Sequence, residues 1–108
     1  MMSDTQNILE LIKKDVEENT IVLFMKGNKE MPQCGFSAQV VHILNELKAD
    51  FVDRNVLEND ALRQGIKEYS DWPTIPQLYV RGEFIGGCDI ISQLAENGEL
   101  QKVLENQI

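Results

Sequence analysis

The organisation of this chain is decided by residues 20–37, TIVLFMKGNKEMPQCGFS. Residues 20–25 show no polar alternation, which predicts a strand covered on both faces inside a partly parallel sheet. A polar loop follows, and apolar residues then recur at helical spacing over residues 36–47. The stretch therefore predicts a central strand, a loop and a helix, with Cys34 at or just before the first helical turn.

The flanking sequence predicts an α/β fold. Apolar spacing predicts an opening helix over 8–16 with its N-cap among residues 3–5. A short strand at 51–54 would complete a right-handed strand–helix–strand crossover, and residues 77–80 and 83–86 predict an antiparallel hairpin. Further helical patterns cover 62–69, 90–94 and 100–104. We expect a four-stranded mixed sheet with helices on both faces.

Length and charge limit the functions that fit this chain. Its 108 residues, 43% of them hydrophobic, suit one domain over 1–108. Ten Lys and Arg against eighteen Asp and Glu give a net charge of −8, which would repel nucleic-acid phosphates and anionic lipids. The longest apolar run, 21–25, is far shorter than the ~20 residues that span a bilayer. We expect protein or small-molecule partners, and neither nucleic acid nor membrane.

The cysteine content favours a reducing compartment. Cys34 and Cys88 are too few for a secreted disulfide scaffold. The first residues lack the basic start of a secretory signal and the Arg-rich pattern of a transit segment. We therefore expect a cytoplasmic protein.

Cys34 is the candidate catalytic residue. Free N–H groups and the dipole at a helix start stabilise a thiolate, and cysteines so placed have pKa values of roughly 3.5–7.5 instead of about 8.5. Gly35 has no Cβ to obstruct an approaching partner. Ser37 stands where dithiol oxidoreductases carry their resolving cysteine. The sulfur partner must therefore come from solution, from a distant cysteine or from a metal, unless Cys34 is simply a buried, inert thiol.

Ile75-Pro76, directly before a predicted strand, is a candidate cis peptide. We expect a cis bond to leave the backbone N–H and C=O of Ile75 free to pair with an extended peptide beside Cys34. An ordinary trans turn is the alternative, and base rates favour it.

Two further features indicate a site for charged groups. The run Gly86-Gly87-Cys88-Asp89 resembles a helix-start anion site in which Asp89 accepts from an ammonium, although Asp89 could be a simple N-cap. Arg63 and Lys67 lie one turn apart, and Lys26 ends the central strand. These cations indicate a site for anionic groups, with a solvated face as the ordinary explanation.

Two other side chains that often mark sites are predicted to be structural here. His42 has no second His or nearby Cys to complete a conventional zinc site. Trp72 is interpreted as a packing residue.

The motifs together resemble the monothiol glutaredoxins of the Cys-Gly-Phe-Ser class. The resemblance covers about Ser3 to about Val103. It rests on the order of Lys26-Gly27, the loop at 28–31, Pro32-x-Cys34-Gly35-Phe36-Ser37, Trp72-Pro73-Thr74-Ile75-Pro76-Gln77 and Gly86-Gly87-Cys88-Asp89. It implies a thioredoxin-like fold.

The resemblance also implies that glutathione lies in a groove beside the reactive cysteine. Lys26 and Arg63 would hold its glycine carboxylate, and the backbone of Ile75 would pair with its cysteine moiety. The backbone at Cys88, together with Asp89, would hold its γ-glutamyl end.

Proteins of this class carry iron–sulfur clusters, and the ligand count suits a chain with one reactive cysteine. A [2Fe–2S] cluster needs four ligands, usually thiolates. Cys34 from each of two subunits and two glutathione thiols would supply them, which implies a symmetric homodimer bridged by the cluster. The implied function is delivery of clusters to acceptor apoproteins, with a BolA-type protein as a candidate heterodimer partner.

Two other functions remain open from the sequence. Cys34 could attack glutathionylated proteins, a second glutathione then resolving the mixed disulfide, as in a glutathione-dependent thiol-disulfide oxidoreductase. Alternatively, Cys34 and Cys88 could form a redox-sensing disulfide, which requires Cα atoms roughly 4.4–6.8 Å apart.

Overall fold

The computed structural model describes residues 4–105, with side chains from residue 7 onwards. One short 3-10 turn, Val56–Glu58, precedes the helix that begins at Asp60. Of the predicted N-cap residues, Ser3 lies outside the described residues. The helices are α1 Asp4–Glu18, α2 Gly35–Glu46, α3 Asp60–Ser70, α4 Cys88–Glu96 and α5 Glu99–Glu105, and the strands are β1 Ile21–Met25, β2 Val52–Asn55, β3 Gln77–Val80 and β4 Glu83–Gly86.

The four strands form one mixed sheet in the order β2-β1-β3-β4. β1 pairs with β2 in parallel and with β3 antiparallel, and β3 pairs with β4 antiparallel. Arg81 and Gly82 both have positive φ angles, 49° and 81°, in the turn between β3 and β4, as a tight hairpin requires. The predicted strands, crossover and hairpin are confirmed.

Helices cover both faces of the sheet, and the central strand β1 is therefore buried on both. All five β1 residues are buried, and their side chains alternate between two apolar layers. One layer includes residues of α2, α4 and α5, and the other includes residues of α1 and α3. None of the helices within residues 4–105 is long and apolar enough to cross a membrane.

The loop before α2 is tied to the edge strand β2. Gly27 N–H donates to Asn55 Oδ1 at 2.9 Å, and Lys29 N–H donates to Asp53 Oδ2 at 2.8 Å. The Lys29 ammonium donates to Phe51 O at 2.8 Å and lies 4.9 Å from the centre of the Phe51 ring. These contacts fix the path of the chain from β1 to Cys34.

Helix α3 is defined at both ends by its own sequence. The Asn59 side chain accepts from Leu62 N–H at its start, and Asp71 at its end adopts the left-handed conformation with φ 54°. The chain therefore leaves α3 in a sharp turn and enters residues 72–76.

The loop predicts a strict requirement for glycine at position 27. A Cβ there would lie 2.5 Å from Met31 O and 2.6 Å from Gln33 N, at φ 87°. Gly98 is the matched control, since it has φ 80° but nothing within 4 Å of an added Cβ. In urea denaturation we expect Gly98→Ala to lower the free energy of unfolding by about 1–2 kcal/mol. Gly27→Ala should cost about 1–3 kcal/mol more. Equal losses would contradict this account of the loop.

Candidate thiol site and groove

Cys34 is the N-cap of α2, with extended backbone angles of φ −148° and ψ 136°. Its side chain is half-buried and its thiol is free. A hydrogen bond from Ser37 N–H is the largest effect that lowers the pKa of Cys34, with partial burial acting against it. The Phe36 N–H, the positive charge of Lys26 and the Ser37 hydroxyl lower this pKa further. The predicted place of Cys34 at the start of a helix is confirmed, while its role as the reactive thiolate stays a prediction.

Ser37 does more than stand in for a missing thiol. Its side chain is fully buried, and Oγ accepts from Lys26 N–H at 3.1 Å. The hydroxyl also contributes to the lowered pKa of Cys34. One hydroxyl therefore acts on both the end of β1 and the Cys34 thiol.

A groove of about 450 Å³ lies beside Cys34. Its walls come from the end of β1, the start of α2, helix α3, the segment before β3 and the start of α4. The lining residues are Lys26, Cys34, Phe36, Lys67, residues 72–76 and residues 87–90. Five of the six candidate site residues thus lie together: Lys26, Cys34, Ile75, Cys88 and Asp89. Arg63 is not among the described lining residues, whereas Lys67, one turn later on α3, is.

The segment before β3 presents backbone groups to the groove. The Ile75-Pro76 peptide bond is cis, which is the candidate isomer that the sequence left open beside an ordinary trans turn. Among the described residues, the backbone hydrogen bonds outside helices and strands include none from Ile75. The Ile75 N–H and C=O are therefore available to a bound ligand.

Helix α4 begins at the opposite wall of the groove. Its N-cap is Gly87, with φ −97° and ψ −167°, and Asp89 lies in the first turn. The interpretation of Asp89 as a simple N-cap is therefore wrong. A Cβ on Gly87 would lie 3.2 Å from Trp72 Nε1 and 3.4 Å from Pro76 O, so glycine lets the helix start pack closely against the other wall.

The cations near the groove lack carboxylate partners. Within the described part of the chain, Lys26, Arg63 and Lys67 form no ion pair with Asp or Glu. Among the ion pairs of the described residues, Arg54 with Asp15 is the one that involves a Lys or Arg, so most cations of these residues are left free to meet an external anion. Lys26 and Lys67 therefore give the groove a local positive charge that suits an anionic ligand.

Comparison with known proteins identifies the family. The glutaredoxin family model matches residues 21–85. A probable monothiol glutaredoxin 2 from Rickettsia typhi is 53% identical over 106 residues, covering 98% of this chain and 95% of that protein. The solution structure of reduced poplar apo GrxS14 is 53% identical, with a TM-score of 0.83 over 97% of this chain and 96% of that one.

The chain belongs to the monothiol glutaredoxins. The same fold is found in the crystal structure of a buckwheat glutaredoxin–glutathione complex, which has a TM-score of 0.86 at 22% identity and covers 98% of this chain and 94% of that one. The predicted thioredoxin-like fold is confirmed.

The second cysteine of this glutaredoxin has a different environment from the first. Cys88 lines the groove as a free, half-buried thiol. Burial raises its pKa, and the negative charges of Asp89 and the Cys34 thiolate raise it further, against a hydrogen bond with Ser92. Cys88 therefore stays protonated at a pH where Cys34 has begun to ionise. A disulfide between the two stays a prediction.

Trp72 was predicted to be structural, and that interpretation is incomplete. Its ring packs on Phe84 with centroids 5.9 Å apart, but the side chain also lines the groove. Thr74 and Phe36 are lining residues that the sequence analysis did not single out as site residues. Trp72 and Thr74 could have been found from their place in the segment that contains Ile75, because neighbouring residues of this irregular segment line the same wall of the groove.

The Ser37 contacts predict a shift in the reactivity of Cys34. In Ser37→Ala the hydroxyl is lost while the two backbone N–H donors remain. The pKa of Cys34 should rise but stay below that of an ordinary thiol, so alkylation by iodoacetamide should be slower at pH 7 and its pH profile should move upward. The orphaned Lys26 N–H should lower the free energy of unfolding by about 1–3 kcal/mol.

Ser92→Ala is the control, because Ser92 bonds Gln39 and Cys88 and not Cys34. An alkylation profile for Ser37→Ala that coincides with wild type would contradict the role of this hydroxyl.

Proposed function

We propose that this monothiol glutaredoxin binds glutathione in the groove and carries a [2Fe–2S] cluster between two subunits, for delivery to acceptor apoproteins. The observation that carries the proposal is the half-exposed Cys34 thiol, whose pKa is lowered, at the edge of a cationic groove. The cluster is cargo in this proposal, and a BolA-type protein is a candidate alternative to the second subunit.

Glutathione suits the groove in size and charge. The volume of about 450 Å³ falls in the range of about 300–1,000 Å³ common for small-molecule sites. The glycine carboxylate is assigned to Lys26 with Arg63 or Lys67, and the cysteine moiety to the backbone of Ile75. The γ-glutamyl end, which carries a carboxylate and an ammonium, is assigned to the first turn of α4, where N–H groups and Asp89 are near. The complex formed by the buckwheat glutaredoxin supports the choice of ligand.

The proposal uses one thiolate of this chain, Cys34, so the other ligands of the cluster have to come from elsewhere. Within the described residues, no three His, Cys, Asp or Glu side chains gather into a group that could hold a metal ion. Space beside Cys34 is open, since a Cβ on Gly35 would meet nothing within 4 Å. Met31 and Phe36, which flank Cys34 in sequence, are 66% and 63% exposed, as suits residues that become covered in a dimer.

The lowered pKa of Cys34 also favours a second candidate function. The Cys34 thiolate could attack the glutathione sulfur of a protein–glutathione mixed disulfide and release the protein thiolate. A second glutathione thiolate would then attack Cys34–glutathione, releasing oxidised glutathione and restoring the Cys34 thiolate.

Reconstitution with iron, sulfide and glutathione under anaerobic conditions tests the proposal. We expect a coloured dimer with one glutathione per subunit, measured by visible absorption, glutathione assay and mass in solution. Cys34→Ser should abolish the colour and the dimer. Cys88→Ser should retain both, because the assigned contact at Cys88 is its backbone. A colourless monomer that instead turns over glutathione mixed disulfides would exclude the carrier function and favour the oxidoreductase.

The unpaired cations predict which charges hold glutathione. Lys26→Gln should weaken glutathione binding about three- to tenfold, and so should one of Arg63→Gln and Lys67→Gln, as expected for loss of a charge-assisted hydrogen bond. Lys102→Gln on α5 is the matched control, because Lys102 is an exposed cation outside the groove. Competition against a chromophoric glutathione conjugate would measure the affinities. If a variant binds glutathione as tightly as Lys102→Gln does, the substituted cation is not part of the glutathione site.

A further inference from the structure

Gln77, the first residue of β3, is a fully buried polar side chain. Its amide nitrogen donates two hydrogen bonds, to Trp72 O at 3.2 Å and to Thr74 O at 3.1 Å. Its amide oxygen accepts from the Tyr79 hydroxyl at 3.2 Å. Both N–H donors and the oxygen of this amide therefore have partners, which is the condition under which an amide is buried without a large cost.

The two carbonyls that Gln77 binds belong to one wall of the groove. Trp72 and Thr74 both line it, and Thr74 directly precedes Ile75. At its other end this wall is held by α3, since Trp72 N–H donates to Ser70 Oγ at 3.1 Å and to Lys67 O at 3.2 Å. The wall is thus fixed by β3 from behind and by α3 from the side.

An apolar side chain at position 77 would leave the carbonyls of Trp72 and Thr74 without the partner that Gln77 supplies. Gln77 points to the α1–α3 face of the sheet, as Tyr79 does two residues later. It is not among the groups that alter the pKa of Cys34. The contacts of Gln77 therefore act on the wall formed by Trp72 to Thr74 and not on the Cys34 thiolate.

We propose that Gln77 is a positioning residue that holds the Trp72–Thr74 wall, and with it the Ile75 backbone, at the distance from Cys34 that glutathione needs. This inference rests on the proposed binding of glutathione in the groove. It assigns to Gln77 the selectivity of Cys34 for glutathione disulfides over small disulfides that make no contact with the wall.

The test compares two disulfides that react at the same sulfur. The Cys34 thiolate attacks one sulfur of oxidised glutathione or of 2-hydroxyethyl disulfide and releases the other half as a thiolate. Initial rates of mixed-disulfide formation are followed by intact mass for wild type, Gln77→Met and Tyr79→Phe. Methionine keeps the length and apolar volume of the side chain but removes both donors.

We expect Gln77→Met to slow the reaction with oxidised glutathione about fivefold, as for loss of one to two net hydrogen bonds. The rate with 2-hydroxyethyl disulfide and the alkylation pH profile of Cys34 should stay unchanged. Tyr79→Phe removes the hydroxyl that supports Gln77 and that also contacts Ser70, whose Oγ accepts from Trp72 N–H, and it should lower the glutathione rate about twofold. It provides the same comparison if Gln77→Met does not fold.

Two results would overturn the inference. One is that folded variants react with oxidised glutathione and 2-hydroxyethyl disulfide in the same ratio of rates as wild type. The other is an equal loss of rate with both disulfides, which would mean a general structural role. If wild type itself shows no preference for oxidised glutathione, the proposed glutathione site fails, and this outcome is distinct from the failure of Gln77 as its positioning residue.

Discussion

The site depends on the hydrogen bond that joins the end of β1 to the first turn of α2. Lys26 N–H donates to Ser37 Oγ inside the protein, so the strand end and the helix start cannot move independently. Because Cys34 is the N-cap of that helix, the backbone N–H groups of Phe36 and Ser37 in the first turn lower the pKa of Cys34. The acidity of Cys34 is therefore mainly a property of backbone geometry, to which the charge of Lys26 adds.

The groove and the Cys34 thiol form one site because the ends of several helices and strands meet there. The groove lies where β1 ends, where the chain approaches β3 and where α4 begins, and each of these places leaves backbone groups unpaired by regular secondary structure. The acidic surface of the chain disfavours anions in general, but Lys26 and Lys67 create a local exception beside Cys34. With Asp89 on the opposite side, the groove suits a ligand that carries both signs of charge.

Features encoded by a short local pattern were predicted from the sequence. The apolar run 21–25, the helix start at Cys34 and the turn at Arg81-Gly82 each depend on a few adjacent residues. Features that depend on packing between distant segments were not predicted. Gly87 and not Asp89 is the N-cap of α4, and a Cβ at Gly87 would lie 3.2 Å from Trp72 Nε1. Likewise, that Lys67 and not Arg63 lines the groove depends on how α3 is rotated against the sheet.

At the position where dithiol relatives carry the resolving thiol, this chain has the buried hydroxyl of Ser37, which accepts from Lys26 N–H. Ser37 cannot supply a sulfur, and Cys88 holds its proton when Cys34 is ionised. Under the proposed function, the sulfur that meets the Cys34 thiolate is brought in by a ligand of the groove. Half of the ligands of a bridging cluster would then be such small molecules. Because hydrogen bonds and charge would hold these small molecules, and no covalent bond to the chain, they could leave. Their departure would release the cluster, which is what a carrier requires.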